Sequence, residues 1–340
     1  MQFFPPPLMT KTNTIQSLDV LKTLGDARRV AILRTLMSRE ATISQLGRQM
    51  GMHPAKIRYH LKQLESAGLV EFAFSRETYG FVEKFYRATA QAFFINRVLL
   101  PEPGKQGTVY ALGSHDPALE LLSRHLAGPR TPDFVAIPVG SLDGLIALRQ
   151  GFCQLTACHL YDPADGEYNL PYVRHLFPGQ AMRVVTLVNR EQGLAVAPGN
   201  PKGIRGLTDL TRSDLTFINR KTGSGTRLWL DHQLRVRGIE SARIRGYTAE
   251  VSTHREVAEA VRQGRADLGL AVYAAARAAN LDFIPLFEER FDLVAPETRY
   301  HDPLLAPALE TINSAAFRRE VAALGGYDTS HTGESQAVES

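Results

Sequence analysis

The sequence predicts a small basic α+β module, helices followed by a hairpin, joined to a larger α/β domain. Three observations predict it. At 340 residues the chain is long enough for two domains. Residues 1–90 hold 13 of the 39 Lys+Arg and 7 of the 35 Asp+Glu, so the whole net charge of +4 comes from the first quarter of the chain. Apolar periodicity is helical in that quarter, whereas beyond residue 107 strand-like and helix-like stretches alternate. A short basic part beside a near-neutral one suggests a polyanion binder joined to a part with another task. Hydrophobic residues at 44% and charged residues at 22% exclude a mostly disordered chain. No apolar run approaches the roughly 18–20 residues of a membrane span, so no membrane partner is expected. The start, MQFFPPPLMTKTNT, lacks the basic and apolar regions of a signal peptide. The expected location is cytoplasmic. Cys153 and Cys158 lie in one apolar stretch without metal or redox spacing, and are expected to be reduced and buried.

Residues 1–14, with three consecutive prolines and no periodicity, are expected to be a disordered tail. Leu18, Leu21 and Leu24 recur at helical spacing. Asp26 is a candidate N-cap for a second helix carrying Val30, Leu33 and Leu36. Thr42 caps a third, with Ile43, Leu46 and Met50, which Gly51 ends as a residue free to take positive φ. Pro54, at a first helical position where no N–H bond is needed, opens a fourth helix with a buried stripe of Ile57, Leu61 and Leu64. Gly68 closes it. Leu69 to Phe74 read as a strand, SRETYG as a loop and FVEKFYRAT as a second strand. Helices followed by a hairpin make a winged helix-turn-helix (α+β), expected over residues 15–90.

LGDARRVAILRTL, ISQLGRQMGMHPAKIRYHLKQLESAGLVE and the hairpin after them resemble the DNA-binding domain of ArsR-type repressors. In this motif the second helix enters the major groove. The candidate contacts to double-stranded operator DNA are His53, Ala55, Lys56, Arg58, Tyr59 and Lys62, with Arg76 and Tyr79 on the wing. Lys and Arg contacts to phosphate set affinity and register, and base-edge contacts set sequence choice. ArsR-type metal sensors carry a Cys pair on the helix before the turn, or acidic and His ligands at the dimer edge. EATISQLGRQM has no Cys and no His, so no metal ligands are assigned. His60 is expected to be a packed or capping residue. Residues 91–107 start apolar (Phe93, Phe94, Ile95, Val98, Leu99) and end rich in Pro and Gly. They are expected to be a linker or dimerisation segment, a helix between subunits or a strap on their own domain.

Residues 108–330 alternate strand and helix, which argues for parallel α/β structure. MRVVTLVNREQGLAVAP is a strand pair or one extended crossing. Several strands end in a small hydroxyl residue where a helix begins: Ser114, Ser141, the run Thr222-Gly223-Ser224-Gly225-Thr226, and Thr253. Ligands of open α/β sheets bind at the carboxyl ends of strands, and helix N-termini favour anions. Converging Ser and Thr hydroxyls would make a neutral-donor cage for an ionised oxyanion, to which Arg190, Arg220 and Arg227 could add charge-assisted bonds. His115 and His159 are expected to be structural, and Tyr168 and Asn169 candidates for ordering a loop across the cleft.

GSHDPALELL, VGSLDGLIALRQG, HLYDPADGEYNLPYV, VNREQGLAVAPGNPKGI, FINRKTGSGTR and AALGGYDTSHTGE resemble the type II periplasmic-binding-protein fold, of molybdate/tungstate type. The resemblance implies an α/β two-lobed type II periplasmic-binding-protein-like domain over 108–330. Lobe 1 would hold about 108–186 and 271–330, lobe 2 about 187–270, with a tail at 331–340. It implies ligand contacts at Ser114, Ser141, Ser224, Gly225 and Thr226, and further ones at Arg190, Arg220, Arg227, His254 and Tyr273. The bound effector would be molybdate or tungstate, with no cofactor. GSGTR lacks P-loop spacing, and no HExxH, GxSxG or nucleophile–base constellation is evident, so no enzyme is expected. Together these describe a one-component ligand-responsive transcriptional regulator, expected as a homodimer on a pseudo-palindromic operator. The alternatives are a factor of molybdenum-cofactor assembly or metal handling, and a regulator sensing a small organic acid.

Overall fold

The computed structural model describes residues 12–15, 17–78, 81–95 and 98–339. The chain divides into two compact units, Met1–Leu100 and Pro101–Ser340.

The first unit runs β1 (Thr12–Ile15), α1 (Leu18–Leu24), α2 (Ala27–Ser38), β2 (Ala41–Thr42), α3 (Ile43–Met50), α4 (Pro54–Ser66), β3 (Val70–Thr78), β4 (Phe81–Ala88) and β5 (Ala92–Ile95). Helices α2, α3 and α4 start where Asp26, Thr42 and Pro54 predict. Asp26 accepts from the Arg28 N–H at 2.9 Å. Thr42 and Gln45 form a reciprocal capping box, and Gly51 ends α3 at φ 62°. Ile32, Leu33, Leu36, Leu46, Ile57, Leu61 and Leu64 make the core between α2, α3 and α4. His60 is buried, its Nδ1 4.0 Å from Asp26. The sheet order is β2-β4-β3, with β3 and β4 as the wing.

Three local expectations are corrected. Residues 12–14, expected in the tail, form β1 together with Ile15, and this strand pairs in parallel with β5 from Thr12↔Ala92 to Ile15↔Ile95. Residues 92–95 are therefore a strand and not a dimerisation helix. Phe93 packs on the module's own core, the strap alternative. Residues 75–78, expected in the wing loop, continue β3 opposite Lys84 to Phe81.

The second unit contains β6 (Thr108–Gly113), α5 (Pro117–Leu126), β7 (Asp133–Pro138), α6 (Ser141–Arg149), β8 (Thr156–Cys158), α7 (Leu170–Leu176), β9 (Met182–Val196), β10 (Phe217–Arg220) and α8 (Gly225–Val236). There follow β11 (Glu250–Val251), α9 (His254–Arg262), β12 (Leu268–Val272), α10 (Tyr273–Ala278), β13 (Asp282–Pro296), α11 (Glu297–Tyr300), α12 (Ala306–Asn313), α13 (Ala315–Ala323), β14 (Tyr327–Asp328) and β15 (Ser335–Val338). Two 15-residue strands, β9 and β13, run antiparallel from Met182↔Pro296 to Val196↔Asp282. They are the spine of an eight-stranded sheet ordered β11-β10-β12-β9-β13-β8, with β14 and β15 also on β9. The stretch from Met182 is thus one extended crossing. The β6–β7, β10–β11 and β10–β12 pairs are parallel, whereas every pair made by β9 is antiparallel.

Each half of the spine serves its own core. Val185, Leu187, Val188, Phe291 and Leu293 join α5, α12 and α13 in one lobe. Leu194, Val196, Leu268, Leu270 and Trp229 join α8 in the other, where Val257, Val261, Ala271 and Val272 make a further layer under α9. The second lobe boundary, expected at 271, therefore lies further along. β12 pairs with the lobe-2 half of β9, and the chain returns to lobe 1 along β13. α10 sits at the join, Ala274 in the first core and Ala275 in the second. The expected tail at 331–340 also needs correction: β15 pairs with β9, and Thr332 is buried, its hydroxyl donating to the Leu187 carbonyl at 2.7 Å. Cys153 and Cys158 are buried free thiols.

Candidate functional site

Two glycines bring the strand ends together. A Cβ at Gly144 would lie 2.3 Å from Thr156 Oγ1 and 2.6 Å from the Leu112 carbonyl, so only glycine lets α6 rest this close on β6. That approach sets Ser141, at the start of α6, with its Oγ 2.9 Å from Ser114 Oγ, just past β6. A Cβ at Gly225 would lie 2.3 Å from the His159 carbonyl. The start of α8, from lobe 2, therefore rests on His159, just past β8 of lobe 1.

His159 organises a buried polar network. Its Nε2 is 2.9 Å from Ser114 Oγ and its Nδ1 is 2.9 Å from Glu289 Oε2. Its backbone N–H donates to Ser141 Oγ at 3.3 Å. Glu289, on β13, also accepts from Arg190 Nε at 2.6 Å and from the Gln192 amide. Gln192 bonds Thr226 Oγ1 at 3.2 Å, linking β9 to α8. Arg190 donates to Asp116, the N-cap of α5, which also accepts from Tyr327 at 2.9 Å. The Arg190 guanidinium lies 4.3 Å from the centre of the Phe291 ring. Burial pushes the Glu289 carboxyl up, but Arg190, His159 and Gln192 outweigh it and hold the group down at about 2. Burial lowers the pKa of His159 although Glu289 opposes it.

Beside this closed network stand polar groups without partners. Arg220 is fully buried at the end of β10. Its Nη2 donates to the Ser252 carbonyl at 2.9 Å, while Nε and Nη1 have no hydrogen-bond partner. His254 opens α9, is fully buried, and both its ring nitrogens are unpartnered. The His254 and His159 rings are 6.5 Å apart. Burial, with Arg190 nearby, pulls the Arg220 pKa down to about 9, still cationic at neutral pH. Burial, Arg220 and Arg190 hold His254 well below its usual value, so it is neutral. The start of α6 has no side-chain cap, which leaves its first N–H groups free of one. A cavity of about 550 Å³ opens nearby, lined by His115, Glu120 and Arg124 on one side and Arg255, Glu259 and Arg262 of α9 on the other. His115 adjoins Ser114 in the chain, and Arg255 adjoins His254.

The expected ligand residues thus divide. Ser114, Ser141, Arg220, Gly225, Thr226 and His254 belong to one cluster. Arg190 lies within it but is held between Asp116 and Glu289, so it is no free arm for a ligand. Arg227 is likewise engaged, with Asp231 at 2.9 Å and Glu250 at 2.8 Å. Ser224 caps α8, accepting from the Arg227 N–H at 3.3 Å and donating to the Lys221 carbonyl at 2.9 Å. The Tyr273 ring meets Phe283 at 5.3 Å and the Gly325–Gly326 turn. The expected cage of neutral donors is not what this cluster offers, because two carboxylates, Asp116 and Glu289, and two guanidiniums, Arg190 and Arg220, are buried in it. Tyr168 and Asn169 are tied into lobe 1: the Asn169 amide bonds Asp292 at 2.7 Å, and the Tyr168 carbonyl accepts from Arg290 at 2.9 Å. His115 pairs with Glu120 at 2.8 Å.

Sequence reasoning missed Glu289, Gln192 and Asp116 and took His159 as structural. Ser114 and His159 are 45 residues apart and His159 and Glu289 are 130, so no local motif joins them. The Ser114–His159–Glu289 line has the connectivity of an activated serine, a constellation the sequence did not reveal. Among the described residues no group of three or more His, Cys, Asp or Glu side chains could hold a metal ion.

In the first unit, α4 presents one polar face. His53, Ala55, Lys56, Arg58 and Lys62 are exposed, and Tyr59 is 59% exposed, while Ile57, Leu61 and Leu64 face the core. His53 is also the N-cap, its Nδ1 accepting from the Ala55 N–H at 3.3 Å. Arg76 lies on the wing over the stacked Phe74 and Phe85 rings, 5.4 Å from the latter. Tyr79 lies outside the described residues.

Residues 123–313 match the family model described as PBP superfamily domain, and residues 26–71 the one described as bacterial regulatory protein, arsR family. The chain is 37% identical over 233 residues to the uncharacterized protein YvgK of Bacillus subtilis (strain 168), covering 68% of this chain and 75% of that protein. It is 39% identical over 106 residues to an uncharacterized protein encoded in the 5′ region of the ferredoxin 2Fe-2S gene of Clostridium pasteurianum, covering 31% of this chain and 94% of that one. Among solved structures, an ABC-type phosphate transport receptor from Vibrio cholerae aligns with a TM-score of 0.42 at 14% identity, over 64% of this chain and 98% of that one. A hydrogen-peroxide-bound mutant of OxyR from Corynebacterium glutamicum aligns with a TM-score of 0.44 at 14% identity, over 88% and 94%. No helix among the described residues is long and apolar enough to cross a membrane. A DNA-binding module and a ligand-binding domain in one chain are the make-up of a ligand-responsive regulator, and the chain belongs to the PBP superfamily, with an arsR-family helix-turn-helix domain ahead of its PBP-like domain.

Proposed function

We propose that the chain is a one-component transcriptional regulator that acts in the cytoplasm as a homodimer and senses a small oxyanion, molybdate or tungstate, between the two lobes of its second unit. The observation that carries this is Arg220. A fully buried guanidinium with two unpartnered nitrogens is costly unless something anionic meets it. It stands with the unpartnered His254, the start of α8 and the Ser114–Ser141 pair. An anion there gains the Arg220 charge, helix N–H groups and hydroxyls at once. Closure of the lobes on the anion would bias the dimer between states of different operator affinity, by no more than the ligand's own preference between those states.

The binding role is preferred to an enzymatic one although Ser114, His159 and Glu289 are aligned. Ser114 is itself bonded to Ser141, and the unpartnered groups around it are suited to holding charge. Thermal-shift titration tests the proposal: molybdate and tungstate raise the melting temperature, sulfate and phosphate little. A shift only with small organic acids transfers the site to the organic-acid alternative. Turnover of a molybdenum-cofactor precursor would favour the assembly factor.

A further inference from the structure

Ser114, Ser141, His159 and Glu289 are joined head to tail, and this constrains every proton in the line. Glu289 is ionised and only accepts. Its Oε1 is taken by Arg190 and Gln192, and its Oε2 faces His159 Nδ1 at 2.9 Å. In the neutral imidazole the proton must therefore sit on Nδ1, and Nε2 is a lone pair. Ser114 then donates its only hydroxyl proton to Nε2, across 2.9 Å. Ser141 must in turn donate to Ser114, while itself accepting from the His159 N–H. Both hydroxyl protons are engaged inside the line. Only oxygen lone pairs are left to face a ligand, and they repel an ionised oxyanion.

A second proton on His159 reverses this. Nε2 becomes a donor to Ser114, and at least one serine hydroxyl is released to donate outward. The buried charges point the same way. Asp116 and Glu289 balance Arg190 and Arg220 while both histidines are neutral, so a dianion alone would leave two negative charges uncompensated. The groups facing His159 are Glu289 on β13, Arg190 on β9 with Asp116 behind it, Arg220 on β10 and His254 on α9.

We infer that His159, oriented by Glu289, is a proton switch that turns the Ser114–Ser141 pair from acceptors into donors, so that a fully ionised tetrahedral oxyanion binds together with one proton. This rests on the oxyanion site proposed above and makes His159 a specificity-determining residue within it. Water, being able to donate, suits the neutral state; a dianion, having no proton, suits only the charged one.

Isothermal titration calorimetry of the full chain with molybdate, in buffers of different ionisation enthalpy, reads the protons taken up per anion bound. The expected count is about one at neutral pH, with Kd rising about tenfold per pH unit across about pH 7 to 8, short of the range in which Arg220 itself loses its proton. H159Q keeps a hydrogen-bonding group but cannot be protonated, so it should lose both the uptake and the pH slope. H254N separates the two histidines: uptake should persist there, whatever happens to affinity. Molybdate bound by the wild type without proton uptake overturns the switch and leaves the oxyanion site standing. Uptake lost in H254N assigns the proton to His254 and also overturns it. If H159Q does not fold, the wild-type proton count and the H254N comparison still decide. Failure of both molybdate and tungstate to bind overturns the site and the switch together.

Discussion

Three arginines that look alike in the sequence do three different things. Arg190 has two carboxylates and is part of the scaffold. Truncating one member of such a buried set leaves the others uncompensated, typically at about 3–5 kcal/mol. R190A is expected to lower thermal stability by that order, read as a fall in melting temperature without ligand. Arg227 is held by Asp231 and Glu250 on the flank of α8. Of the three, Arg220 alone has nitrogens that meet neither a hydrogen-bond acceptor nor a carboxylate, since Arg190 Nη2 is ion-paired with Glu289 at 2.5 Å. A charge-assisted hydrogen bond contributes about 1.5–3 kcal/mol, so R220Q should weaken oxyanion binding about 10- to 150-fold, measured by calorimetry. Equal affinity in R220Q and wild type would remove Arg220 from the site. Glu289 sets an acid limit. Its folded pKa is depressed to about 2, so its stabilisation is complete above its unfolded value near 4.5 and is lost as pH falls towards 2. Melting temperature should decline over that window, and E289Q should be less stable at neutral pH and show less of the decline.

At the scale of elements, the chain places helix N-termini and then controls how near they come. G144A puts a methyl group 2.6 Å from the Leu112 carbonyl. α6 must lift from β6 and carry Ser141 away from Ser114. Overpacking of this kind costs typically about 1–3 kcal/mol, and the expected signature is a lower melting temperature together with weakened oxyanion binding. Stability loss with unchanged affinity would show that the serine pair is not used. In the first unit, α4 is packed by Ile57, Leu61 and Leu64 and leaves its other face exposed. K56A/R58A is expected to abolish operator binding at physiological salt and to leave ligand binding intact. Where residual DNA binding can be measured at low salt, its salt slope should fall by about 2. Unchanged DNA affinity would remove α4 as the recognition helix.

For the whole molecule, the consequence is linkage between anion and operator. If closure of the lobes and the DNA-bound state are coupled, molybdate changes operator affinity by a factor typically about 5–150, and operator DNA changes molybdate affinity by the same factor. Fluorescence anisotropy of labelled operator with and without molybdate measures one side of that cycle, and calorimetry with and without operator the other. Unequal factors would mean that a further species, a change of oligomeric state for example, is also in the equilibrium.

The sequence by itself determined the parts set by short-range chemistry. Caps at Asp26 and Thr42, the left-handed Gly51, Pro54 at a first turn and the hydrophobic stripes locate the first unit's helices, because each feature acts within a few residues. The hydroxyl residues at strand ends likewise marked Ser114, Ser141 and Thr226, since strand-to-helix joins are legible from local pattern. Tertiary structure alone decided what those residues face. Residues 12–14 look like a tail until residues 92–95 supply a partner strand, and residues 335–338 until β9 does. Composition cannot say which arginine is left free, because that depends on where the fold brings Asp116, Glu250 and Glu289. Nor can it join Ser114 to His159 and Glu289, since proton positions along that line follow from ångström distances between the ends of β6 and β8 and the middle of β13, which only the packed fold sets.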